Sequence, residues 1–180
     1  MNILEKIRNT VDPLDAPIEP IKNLKLAAVL IPIFSESERI LFTLRTQIVR
    51  HHQGQISFPG GRFDEEDMNL QTTALRETLE EVGISSDKIN LIGSLNPSIT
   101  ISNYYVLPFV GLVEENSKIR INNLEVEHYF LAPITELIKP ENNVMGDFEG
   151  LNLPYYRYKS YKIWGVTGGI LTDLFRRLRS

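Results

Sequence analysis

A chain of 180 residues with 42% apolar and 23% charged side chains has the length and composition of one globular domain with a substantial core. Its net charge of −4 argues against a nucleic-acid partner, and an anionic ligand would need local cations or a metal. With no cysteine, disulfides, thiolate metal sites and a cysteine nucleophile are excluded, and a reducing compartment such as the cytoplasm fits.

Glu5 and Asp12 interrupt the N-terminus in a way that speaks against a signal peptide. The longest apolar run, Leu26 to Phe34, is too short to span a bilayer, so no membrane association is expected. Ile3, Leu4 and Ile7 give a short amphipathic helix, and Asp12-Pro13, Pro17 and Pro20 an extended connection, together an N-terminal lead-in over residues 1–23. The core of the single domain then runs over 24–180. Leu24 to Phe34 reads as a buried strand, with Pro32 pointing to an edge or bulge. Ile40 to Thr46 pairs with it as a hairpin. Gln47 to Gln55 is a polar loop holding Arg50, His51, His52 and Gly54, and Ile56 to Phe58 is a short strand entering a Gly60-Gly61 turn.

A helix follows, closed by Gly83 as a left-handed cap. On it Leu75, Leu79 and Val82 form an apolar stripe predicted to face the core, with Glu77, Glu80 and Glu81 on the opposite side. Carboxylates in the last turn oppose the helix dipole, at about 0.3–1 kcal/mol each. Like charges at i, i+3 and i, i+4 cost about 0.2–0.5 kcal/mol per pair. Two readings stand on the charge pattern alone: a solvated acidic face, or a site for a hard divalent cation bound through carboxylate oxygen.

Ile89 to Leu95, Tyr104 to Val113 and Val126 to Leu131 read as further strands, and Pro133 as the first residue of a helix reaching Ile138. Lys139 to Leu153 is predicted as a long polar loop, Tyr155 to Trp164 as an aromatic hairpin, and Val166 to Leu178 as a final helix whose Arg176, Arg177 and Arg179 complement its dipole. Strands interrupted by isolated helices predict an α/β fold, a mixed sheet with helices on both faces.

Arg76-Glu77, Glu80-Glu81 and Gly83-Ile84, behind Gly60-Gly61, resemble the second half of the Nudix box, G-x5-E-x7-R-E-U-x-E-E-x-G-U. The stretch from Gly61 to Arg76 is one residue longer than usual, Asp67 stands in place of the first glutamate, and Thr78 occupies the aliphatic position. Upstream, Leu41-Phe42-Thr43-Leu44-Arg45-Thr46, Arg50, Gly54 and Phe58-Pro59-Gly60-Gly61 are similar to the motif of the coenzyme A diphosphatase branch of that family, with matching spacing throughout and two departures, Phe42 for leucine and Thr46 for serine or alanine. The resemblance implies a Nudix-type α/β/α sandwich with a mixed central sheet. It implies hydrolysis of a diphosphate with Mg²⁺ or Mn²⁺ as cofactor, held by Glu77, Glu80 and Glu81. Arg76 would orient a ligand carboxylate, and Glu77 or Glu81 would be the general base, with Glu125 as the later candidate.

Gly60 and Gly61 would bring backbone amides to the diphosphate, and Arg45 and Arg50 would meet the phosphates of the substrate, coenzyme A or acyl-coenzyme A. Tyr155, Tyr156 and Tyr158 either stack on adenine or pack a strand face. Homodimers are common for such folds. The alternatives are another Nudix substrate (ADP-ribose, NADH or a nucleoside triphosphate) and a non-catalytic nucleotide-binding module.

Overall fold

The computed structural model describes residues 2–16, 23–46, 54–148 and 150–179. Pro17, Pro20, Arg50, His51 and His52 therefore lie outside the described residues. In chain order the elements are α1 (Ile3–Thr10), β1 (Lys25–Phe34), β2 (Arg39–Arg45), β3 (Ile56–Ser57), β4 (Gly60–Arg62), α2 (Leu70–Val82), β5 (Ile89–Ser94), β6 (Ser98–Ile99) and β7 (Tyr104–Val113). They continue with β8 (Val126–Pro133), α3 (Ile134–Leu137), β9 (Asn143–Phe148), β10 (Leu151–Tyr158), β11 (Tyr161–Ile163) and α4 (Gly165–Arg179).

The two long apolar runs, β1 and β7, pair in parallel from Lys25↔Tyr104 to Phe34↔Val113. A strand covered on both faces has no polar side to alternate with, and so both read as continuous apolar segments. Antiparallel neighbours extend the pair into a mixed sheet of order β3-β2-β1-β7-β5, with β4 joined to β1, β6 to β7 and β8 to β2. On one face Ala28, Leu30, Phe34 and Phe109 pack under Leu70, Ala74 and Val82 of α2. On the other, Ile31, Ile33, Phe42 and Val110 meet Ile7 of α1, Ile134 and Leu137 of α3, and Ile170, Leu171, Leu174 and Phe175 of α4. The architecture is the expected α/β/α sandwich.

Several local expectations are corrected. Pro32 lies in a central strand, not at an edge. The Leu30 N–H donates to the Pro59 carbonyl, so by alternation the missing N–H of Pro32 faces the same side, where β1 passes from pairing with β4 to pairing with β2. Pro133 is the N-cap of α3 rather than its first helical residue. The expected loop from Lys139 to Leu153 is a short 3-10 turn followed by β9 and the start of β10, paired antiparallel from Leu151↔Phe148 to Tyr156↔Asn143. Gly146 hides the alternation of β9 because it fills an inward position where a Cβ would come within 2.6 Å of the Tyr155 ring.

The terminal arginines do more than face a dipole. Arg177 donates to Asp12 and to the Thr10 carbonyl, both at 2.9 Å, and ties α4 to the segment after α1. Among the described residues no helix is long and apolar enough to cross a membrane.

Candidate active site

Gly60 and Gly61 form strand β4 rather than a turn, paired with β1 through Val29↔Gly60 and Ala28↔Gly61. Both glycines are required by close approach. A Cβ on Gly60 would fall 2.4 Å from the Ala28 carbonyl oxygen, and one on Gly61 would fall 2.3 Å from Oε1 of Glu77. The second contact is with the free end of a side chain, so Gly61→Ala is expected to displace the Glu77 carboxylate and leave the strand intact. Turnover should fall about 10²-fold, the scale of a misplacement of about 1 Å in a catalytic group. Steady-state rates beside a thermal melt that barely moves would check this.

Helix α2 starts at Asn69, whose side chain accepts from the Thr72 N–H at 2.9 Å, and stops at Gly83 with φ 72° and its N–H on the Leu79 carbonyl. Its buried face keeps Val82 and partly buries Leu75 as predicted, but not Leu79, and it takes in Glu81. Leu70, Thr73, Ala74, Thr78, Glu81 and Val82 are buried, whereas Leu79 is 50% exposed. Thr78 fits there because its hydroxyl donates to the Ala74 carbonyl at 2.7 Å, which leaves its methyl group to pack. Glu77 and Glu81 therefore turn toward the sheet, and Glu80 alone of the three turns outward.

Arg76 is the hub of the charged cluster. Its Nε and Nη2 donate to the two oxygens of Asp67 at 2.9 and 3.0 Å, its Nη1 donates to Glu77 at 2.9 Å and more weakly to Glu80 at 3.3 Å, and Nη2 also reaches the Arg62 carbonyl at 3.0 Å. Asp67 is buried, with further bonds from the Thr73 hydroxyl at 2.8 Å and the Asp64 N–H at 3.1 Å. The hydrogen bonds from Arg76 hold its pKa down at about 2. Asp67, named from the sequence only as the stand-in for the box's first glutamate, is here the anchor of Arg76. Its only sequence signal is its place in the box, where a glutamate is usual.

Glu81 is 1% exposed. Its Oε1 accepts from Arg45 Nη1 at 3.1 Å, while Oε2 is buried with no hydrogen-bond partner. Burial pushes its pKa up to about 8 against the pull of Arg45, with Glu77 and Glu125 adding to the rise. Burial likewise raises Glu77, opposed by Arg76. Glu125 thus sits close enough to be felt by both box carboxylates.

Among the described residues no three acidic or histidine side chains are gathered into a ready-made metal cluster. The donor chemistry still fits a hard divalent cation. Glu77 and Glu81 lie one helical turn apart on the inner face, and one oxygen of Glu81 is buried with its bonding capacity unused. Arg50 lies outside the described residues and cannot be placed against this cluster. Tyr156 is a core residue, bonded to Thr172, and Tyr158 stacks on Phe130, so these two pack a strand face as the second sequence reading had it.

The family model described as NUDIX domain matches residues 24–152. A protein named "Uncharacterized Nudix hydrolase NudL" from Yersinia pestis (strain Pestoides F) is 39% identical over 157 residues, covering 84% of this chain and 79% of that protein. The MutT protein from Methanosarcina mazei Go1 superimposes with a TM-score of 0.58 at 16% identity, over 89% of this chain and 96% of that one. A C. elegans Ap4A hydrolase gives 0.53 at 15% identity, over 62% of this chain and 83% of that one. Both structures share the fold. With its box helix seated on the sheet behind β4, the chain belongs to the Nudix hydrolase family, whose members cleave pyrophosphate bonds.

Proposed function

We propose that the protein is a coenzyme A diphosphatase. It would use Mg²⁺ or Mn²⁺ to split coenzyme A or acyl-coenzyme A into 4′-phosphopantetheine, or its acyl form, and adenosine 3′,5′-bisphosphate. The observation that carries the hydrolytic reading is the pair of inward carboxylates, Glu77 against the bare backbone of Gly61 and Glu81 with a buried, unspent oxygen. The substrate rests on the upstream spacing of Arg45, Arg50, Gly54 and Phe58 to Gly61.

Glu77, Glu80 and Glu81 would hold the cation. When bound, it neutralises diphosphate charge and acidifies the attacking water. Gly60 and Gly61 would present backbone amides to the diphosphate, while the space beside Gly61 is taken by the Glu77 carboxylate. Arg76, anchored on Asp67, keeps Glu77 and Glu80 in place. Arg50 is assigned to a phosphate because a guanidinium matches phosphate geometry. Water attacks one phosphorus, the bond from that phosphorus to the bridging oxygen breaks, and the water proton passes to a box glutamate, Glu77 or Glu81. A base in this position is most effective when its proton affinity lies near working pH, and burial raises both residues toward that range.

The test is incubation with Mg²⁺ or Mn²⁺ and, separately, coenzyme A, ADP-ribose and NADH, with products identified. Adenosine 3′,5′-bisphosphate from coenzyme A is the expected result. AMP from ADP-ribose or NADH with coenzyme A left intact would overturn the substrate, and no turnover of any of them would overturn the enzyme reading.

A further inference from the structure

Arg45 stands on β2, on the face toward α2, and the sheet pins its backbone on both sides. Its N–H donates to the Gln55 carbonyl, and its carbonyl accepts from Gly54, both at 3.1 Å. On the other side it pairs with Val126, and Thr46 next to it donates to the Glu125 carbonyl at 2.9 Å. The pairing of β2 with β8 slips at this point, with Leu44 opposite His128 and Arg45 opposite Val126. Such bulges re-aim a side chain, and they are over-represented beside active sites.

The side chain so aimed meets Glu81, 36 positions along the chain, at 3.1 Å. Arg45 spends Nη1 on Oε1 and leaves Oε2 the oxygen without a partner. A cation that fixes one oxygen of a carboxylate selects which oxygen a metal or water meets, the usual work of a residue behind a ligand.

We propose that Arg45 is a positioning residue, which acts on the reaction through Glu81 and not through the phosphates of the substrate. This rests on the metal-dependent reading above, and departs from the phosphate contact that the motif implies for Arg45. It assigns the two arginines of the upstream motif different work, with Arg50 left for the substrate.

The experiment compares wild type, Arg45→Gln and Arg45→Lys by Mn²⁺ titration of substrate-free protein, by kcat and KM with coenzyme A, and by thermal unfolding. Removing a residue behind a ligand costs about 10–100-fold in metal affinity or activity. Arg45→Gln should therefore weaken Mn²⁺ binding and lower kcat by factors in that range, with KM within about twofold, and Arg45→Lys should recover part of both. A rise in KM with kcat and Mn²⁺ affinity unchanged would overturn the proposal in favour of a phosphate contact. A lowered unfolding temperature with Mn²⁺ affinity and kcat intact would overturn it in favour of a purely structural pair. If Arg45→Gln does not fold, Arg45→Lys carries the same comparison.

The Mn²⁺ titration needs no substrate, so it decides the matter even if coenzyme A is not turned over. Wild-type protein that binds no Mn²⁺ would sink the metal-dependent reading itself, whereas equal binding by wild type and variant sinks only the role of Arg45.

Discussion

Glu81→Gln is expected to lower kcat by about 10²–10⁴-fold, the range for loss of a group that handles the proton in the transition state. The folded protein should remain. The expectation follows from how poorly Glu81 is treated as a structural residue. Its carboxylate is 1% exposed, and one of its oxygens has no donor. Burying a charge is expensive unless it is fully paired, and burial is what lifts its pKa to about 8. Glutamine has the same shape, keeps an acceptor for Arg45, and takes away the charge that costs stability.

Arg45 retains 22% of its side-chain exposure, so it reaches water once its partner is neutral. Metal-free wild type and Glu81→Gln should therefore melt within a few degrees of each other, with the variant level or higher. Were the pair structural, breaking it would cost about 3–5 kcal/mol. Calorimetry beside steady-state kinetics separates the two. Full turnover in Glu81→Gln, or a loss of stability on that scale, would refute a catalytic purpose for this carboxylate.

β1 and β7 were legible as strands because both runs are apolar without interruption, as a strand buried on both faces must be, whereas their parallel pairing left no local signal. Gly83 was legible because a left-handed cap selects glycine. The inner face of α2 was not. Periodicity assigns Leu79 to the core beside Leu75 and Val82, since in an ordinary amphipathic helix apolar means inside. Here Leu75 and Val82 keep to the core, but Glu77 and Glu81 also turn inward and Leu79 is left exposed, so the rule gives way where the site is.

Gly60 and Gly61 read as a turn because glycine carries no pleat signal. What they supply is missing bulk, visible only once the Glu77 carboxylate lies against them. The pairing of Arg45 with Glu81 crosses from β2 to α2 and leaves no local trace in the sequence. The proposed metal ligands come from a motif, while the residues that hold Glu77 and Glu81 in place are visible only in the fold.

Asp67→Asn should cost about 2–3 kcal/mol of folding stability and lower kcat about 10–100-fold, the latter by loosening residues behind the ligands. Asp67 is 6% exposed and takes both its oxygens to the guanidinium of Arg76. An amide in its place turns N–H groups toward a guanidinium that can only donate. The carboxylate is depressed from 3.8 to about 2, which corresponds to about 2 kcal/mol. The cost should lie toward the low end of that for a broken buried pair because the Arg76 side chain, 30% exposed, can recover water. For a chain of this size the melting temperature should fall by about 4–12 °C.

The pH dependence has a definite sign. A carboxylate held below its unfolded value stabilises the fold above that value, and the contribution disappears as pH falls through the folded one. The gap in stability between wild type and Asp67→Asn should thus be constant above about pH 5 and close as pH drops toward about 2. Denaturant unfolding across that window measures it directly. A gap that persists unchanged at pH 2.5, or no gap at neutral pH, would show that Arg76 stays in place without Asp67. Glu77 and Glu80 share Arg76 Nη1, so the loss of activity should accompany the loss of stability, and neither should be restored by added metal alone.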